Sequence, residues 1–191
     1  MWVVSENERR RRREGILFLV GFGLCIPAAN WLIGNAGTVC PPNSPCLIPV
    51  APGIMAPSGV VTIGLAFVLR DLVQRRIGVR WAAVAVVAGA GLSAFFAPPA
   101  LVVASGTAYL FSETADLAVY TPLQRRRLLL AVFASSIVGL VVDSILFLYL
   151  AFGSLDFLVG QVIGKAWMVV LALPFVVLLR RRDERLGLTP A

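Results

Sequence analysis

Six ionisable residues fall within otherwise apolar stretches of this sequence: Arg70, Asp71, Glu113, Asp116, Asp143 and Lys165. In a hydrocarbon environment each such charge near a helix centre costs about 2.5–3.5 kcal/mol, so it must pair, sit near an interface or line a polar cavity. Asp71 with Gln74 and Glu113 with Asp116 are three apart, and Gln161 with Lys165 four apart, so each pair shares one helix face. Four acids against two bases leave two carboxylates in excess, suited to accepting hydrogen bonds from a donor-rich solute or to carrying protons. Asp143 has no charged neighbour in its own stretch, and Lys165 is its natural partner across helices. Arg70 is expected to snorkel to an interface beside Asp71. Tyr109, Phe111, Tyr120, Phe147, Tyr149 and Trp167 pack or anchor by default, while Phe111 and Phe147 flank the acids closely enough to stack on a planar ligand.

Other chemistry is absent. Without histidine there is no His-dependent triad or His-metal site, and neither a Walker loop nor a cysteine-rich metal motif occurs. The expectation is a protein without catalysis, cofactor or metal.

The elements that position these charges follow from composition. Hydrophobic residues make up 59% of the 191, and the mean hydropathy is +0.87, beyond what a water-soluble surface tolerates. The length suits one bundle of membrane-crossing helices of roughly 20 residues each. Net charge is +7, yet 15 of the 17 cations fall in four clusters between apolar runs: 9–13, 75–80, 125–127 and 180–185. This is the positive-inside pattern, which argues for membrane orientation and against nucleic-acid binding.

We therefore expect an all-α integral membrane protein, one domain over 1–191, with six spans at about 15–34, 57–74, 81–97, 99–120, 128–151 and 157–179. Both termini and every arginine cluster then lie on one side. Pro98-Pro99 should force a reversal on the other side, and Pro174 should kink the last span. Gly59, Gly64, Gly89, Gly91, Ser93, Gly106 and Gly139 allow close helix packing. Three helices followed by three permit an inverted repeat, with Asp71 and Asp143 as counterparts. The Asn35 to Pro57 stretch reads as an outer loop in which Cys40 and Cys46 could pair; Cys25 packs within the first span.

At these same residues the chain resembles the vitamin uptake transporter family, whose best-understood branch is the queuosine precursor transporters of bacteria. The matching stretches are Ala56-Pro57-Ser58-Gly59, Arg70 to Gln74 with Gly78, Ser112 to Asp116, Tyr120 to Leu123, Asp143-Ser144 with Phe147, Ala151-Phe152-Gly153, and Gln161 with Lys165 and Pro174. The resemblance implies a six-helix carrier of the bacterial inner membrane that imports a 7-deazaguanine base. Its solute site would draw on Asp71, Gln74, Glu113, Asp116, Asp143, Phe147, Gln161 and Lys165. A carboxylate would accept from the donor edge of a guanine-like ring, Lys165 or Gln161 would meet the acceptor edge, and an aromatic ring its flat face. Gln74 departs from the pattern, since many queuosine-precursor relatives carry glutamate there. The alternative is a substrate-binding membrane subunit serving a separate energising ATPase. Partners are then the bilayer, the nucleobase-like solute, and a second copy or an energising subunit.

Overall fold

A computed structural model describes residues 6–42, 44–96 and 102–188. The expected Pro98-Pro99 reversal and the extreme termini lie outside them.

Six helices occupy the expected segments: α1 (Glu6–Asn35), α2 (Val60–Ile77), α3 (Val79–Phe96), α4 (Val102–Leu123), α5 (Leu128–Phe152) and α6 (Leu158–Leu186). Four of them, α1, α3, α5 and α6, are long and apolar enough to cross a membrane. The other two, α2 and α4, carry four of the six unexpected charges. α1 starts within the basic arm, nine residues before the expected span, because Arg and Glu are good helix formers and Glu6 and Glu8 face the positive end of its dipole. α6 likewise runs unbroken through Pro174 and on into the terminal arginines.

The basic stretch 75–80 is not a loop. Arg75 and Arg76 close α2, Arg80 opens α3, and a single glycine turns the chain between them. Gly78 has φ 95°, a backbone that other residues adopt only with strain.

The outer stretch after α1 is also more ordered than expected. Antiparallel strands β1 (Leu47–Ala51) and β2 (Ile54–Pro57) form a hairpin that rests on α6, where Trp167 Nε1 donates to Val50 O at 3.1 Å. Cys40 and Cys46 are joined by a disulfide. Pro49 is tolerated because the outer edge of β1 is unpaired beyond the Val39–Leu47 bridge, and Pro57 because it ends β2.

The bundle has its polarity reversed relative to a soluble protein. Leu17, Leu24, Val87, Phe95, Val103 and Leu171 face outward, whereas Arg70, Asp71, Glu113, Asp116, Lys165 and Asp183 are buried. Such a surface matches lipid. α2 is the axis: it touches all five other helices, and twelve of its eighteen residues are buried. Apolar neighbours thus shield the charged helix. Gly64 makes this possible on one side, since a Cβ there would lie 2.6 Å from Lys165 O and 2.9 Å from Lys165 Cα.

Candidate functional site

Passing along α2 from the hairpin end to the arginine end, the buried polar residues form three successive layers.

The first layer surrounds Lys165 on α6, which is 2% exposed. Its Nζ donates to Asp143 Oδ2 at 2.6 Å, Ser144 Oγ at 2.8 Å and Gln161 Oε1 at 2.7 Å. All three ammonium donors are therefore used, which is what allows the charge to be buried. Asp143 and Ser144 come from α5, and Gln161 stands one turn before Lys165 on the same face of α6. The Asp143–Lys165 pairing expected from the sequence is thus present. Ser112 Oγ of α4 lies 3.5 Å from Asp143 Oδ1.

This layer forms one wall of a cavity of about 70 Å³ to which all six helices contribute. Asp143, Phe147, Gln161 and Lys165 line it, opposite Asn30 of α1 and Tyr109 of α4. The Tyr109 hydroxyl is buried without a hydrogen-bond partner. A carboxylate, an amide, a phenol and an aromatic face therefore border one space, enough to orient a small polar and planar molecule. A water needs roughly 10–15 Å³, so the space admits several.

The second layer is sealed. The guanidinium of Arg70 on α2 meets three carboxylates: Nε to Glu113 Oε2 at 2.8 Å, Nη1 to Asp71 Oδ1 at 2.9 Å, and Nη2 to Asp116 Oδ1. Ser135 Oγ of α5 donates to Asp71 Oδ2 at 3.0 Å. Arg70 is 0% exposed, so the expected snorkelling to an interface does not occur; its guanidinium is instead ion-paired with carboxylates from two helices. Asp71, Glu113 and Asp116 do not line the cavity.

Gln74 lies one turn further on, where its Nε2 donates to Thr121 Oγ1 at 3.0 Å. The eight residues named from the sequence are thereby distributed: four on the cavity, three on Arg70, and Gln74 toward the arginine end.

The third layer was not anticipated. Asp183 of α6 accepts from Arg75 Nε and Nη2 at 3.1 and 2.9 Å and from Arg76 Nη1 and Nη2 at 3.0 and 2.7 Å. Glu14 of α1 binds Arg76 Nε at 2.8 Å and Arg182 Nη2 at 2.5 Å. Arg75 and Arg76 are 6% and 2% exposed, so they are not lipid-facing charges but a clasp binding α1, α2 and α6. Their signal in the sequence was an acid directly following each terminal arginine run, Glu14 after 9–13 and Asp183 after 180–182. Tyr109, read from the sequence as packing, also borders the cavity, and Asn30 was the other omission, one that could have been found as an amide inside an apolar span.

Fold and site together define a polytopic helical membrane protein with a charged interior and a small internal cavity. Residues 92–179 match the family model described as "Putative vitamin uptake transporter", which supports the family resemblance read from the sequence. The matched stretch contains Glu113, Asp116, Asp143, Phe147, Gln161 and Lys165, and leaves Asp71 and Gln74 outside. No curated protein and no solved structure matches the chain.

Proposed function

We propose that this chain is a carrier importing a small polar solute, with the cavity beside Lys165 as the solute site and a 7-deazaguanine queuosine precursor as its cargo. The observation that carries the reading is a fully hydrogen-bonded lysine, 2% exposed, on the wall of a space that also offers Asp143, Gln161, Tyr109 and Phe147. A guanine-like base would give its donor edge to Asp143, which Lys165 holds in place, take a hydrogen bond at its carbonyl from the unpartnered Tyr109 hydroxyl, and lie against Phe147.

In this reading all six helices cross the bacterial plasma membrane, with the arginine end in the cytoplasm. The cavity lies in the hairpin half, and the Arg70 and Asp183 layers close the way to the cytoplasm. Release then requires both ion-pair layers to part while the hairpin end closes. Asp71 on α2 and Asp143 on α5, each paired with a cation, fit an arrangement of two related three-helix halves. Asp71, Glu113 and Asp116 act on the path as a gate around Arg70, and Gln74 beyond it.

Uptake of labelled 7-deazaguanine base by cells unable to make it tests the proposal. Accumulation above an empty-vector control is expected; none, with the protein present in the membrane, removes the substrate assignment. Proteoliposomes holding only this chain should also take up the base. Uptake only with ATP and co-reconstituted partner subunits would make the chain the binding subunit of an energised complex.

A further inference from the structure

A second built site lies at the arginine end, beyond Arg70 and separate from the Lys165 cavity. The α2–α3 turn and the end of α4 enclose a groove of about 700 Å³ lined by Gln74, Arg80, Trp81, Thr121, Gln124 and Arg125, among others. Three features point to a ligand. Arg80 and Arg125 are both exposed, and among the described residues neither has an ion-pair partner. Gln74 and Gln124, 0% and 5% exposed, each carry a buried side-chain oxygen with no hydrogen-bond partner. Thr121 fixes one of them: its hydroxyl donates to Leu117 O at 2.6 Å and accepts from Gln74 Nε2, leaving the Gln74 oxygen free.

Two unpaired guanidiniums beside two unsatisfied acceptors call for a ligand that is anionic and also donates hydrogen bonds. A phosphate ester carrying free hydroxyls has both properties. Trp81 is 53% exposed next to the groove, and a tryptophan beside arginines at a helix end is the usual mark of the headgroup level. We propose that this groove binds the headgroup of an anionic glycerophospholipid of the phosphatidylglycerol type. Its phosphate sits between Arg80 and Arg125, its hydroxyls donate to Gln74 and Gln124, and its chains descend over the apolar face of α3. The site ties the α2–α3 turn to α4, one turn beyond the Arg70 layer.

The test is lipid retention by the full-length protein purified from vesicles of equal parts phosphatidylglycerol, phosphatidic acid and phosphatidylcholine, read by native mass spectrometry. Wild type should retain phosphatidylglycerol above the other two. Each arginine near a membrane surface contributes roughly fivefold, so Arg80→Gln with Arg125→Gln should lower retention by about thirtyfold. Arg181→Gln with Arg185→Gln removes equal charge at the same end outside the groove and should leave retention unchanged. An equal loss in both double variants would reduce the effect to general surface charge and overturn the site. Equal retention of phosphatidic acid would overturn the role given to the two glutamines, and equal retention of phosphatidylcholine the whole proposal. Displacement of the lipid by free glycerol 3-phosphate at low millimolar concentration would make the groove a site for a soluble phosphate ester instead. Thermal unfolding of all variants in detergent separates these results from loss of folded protein.

Discussion

Breaking the Asp143–Lys165 pair from either side should have unequal effects. Asp143→Asn leaves an ammonium that is 2% exposed with only neutral acceptors, Ser144, Gln161 and the new amide. Removing one partner of a buried pair typically costs about 3–5 kcal/mol, and so deep a cation belongs in that range. Lys165→Met instead leaves the Asp143 carboxylate, whose side chain is 13% exposed on the cavity wall. Water there can solvate it, and the cost should fall to about 2–3 kcal/mol after that discount. The double variant has neither stranded charge and should lose only about 1 kcal/mol of hydrogen bonding and packing. Thermal unfolding in detergent should therefore rank Asp143→Asn lowest, then Lys165→Met, then the double variant, at about 2–4 °C per kcal/mol for a chain of this size. Uptake measured in the same preparations separates stability from solute handling. Recovered stability without uptake is the expected result, because the double variant also lacks the charged cavity wall. If both single variants and the double unfold and transport like wild type, the inference from buried charge to function fails.

Asp183→Asn should destabilise the bundle by about 3 kcal/mol, since Arg75 would lose its charged partner and Arg76 would keep only Glu14; an unchanged unfolding temperature would refute the clasp. Gly64→Ala should cost about 1–3 kcal/mol by pushing α2 off the α6 backbone, whereas Gly91→Ala, with nothing within 4 Å of the added carbon, should stay within about 0.5 kcal/mol of wild type. If the two unfold alike, close helix approach at Gly64 is not what fixes α2. Denatured, unreduced protein should show one maleimide-reactive thiol, Cys25, and three after reduction; three beforehand would exclude the Cys40–Cys46 bridge. After mild reduction of intact cells, an impermeant maleimide should label the exposed Cys40, and labelling only after the inner face is opened would invert the proposed orientation.

The helices and the Lys165 pair were legible because both express one constraint, the cost of polar groups in hydrocarbon. Long apolar runs mark spans, and a charge inside a run must find a partner; Asp143 and Lys165 were each isolated on their own helices, which left them facing each other. The same constraint cannot tell two burial environments apart. Asp71, Glu113 and Asp116 resemble Asp143 in sequence, yet they close around one guanidinium while Asp143 borders a cavity, because the outcome depends on which helix faces meet. Local pattern failed for opposite reasons at Arg75 and Arg76. Arginines at a span end read as lipid-facing anchors, but α2 is surrounded on all sides, so even its terminal turn is interior and needs Asp183 and Glu14. The hairpin escaped because Pro49 and Pro57 argue against strands in general, and only an unpaired edge position or a strand end tolerates them. Centrality of α2 explains both the legible and the illegible parts. α2 carries Arg70, Asp71, Gln74, Arg75 and Arg76, and a helix with that many polar side chains is stable in a membrane only when other helices cover it. Its position at the axis was therefore implied by its own residues, and the layers of ion pairs follow from that position.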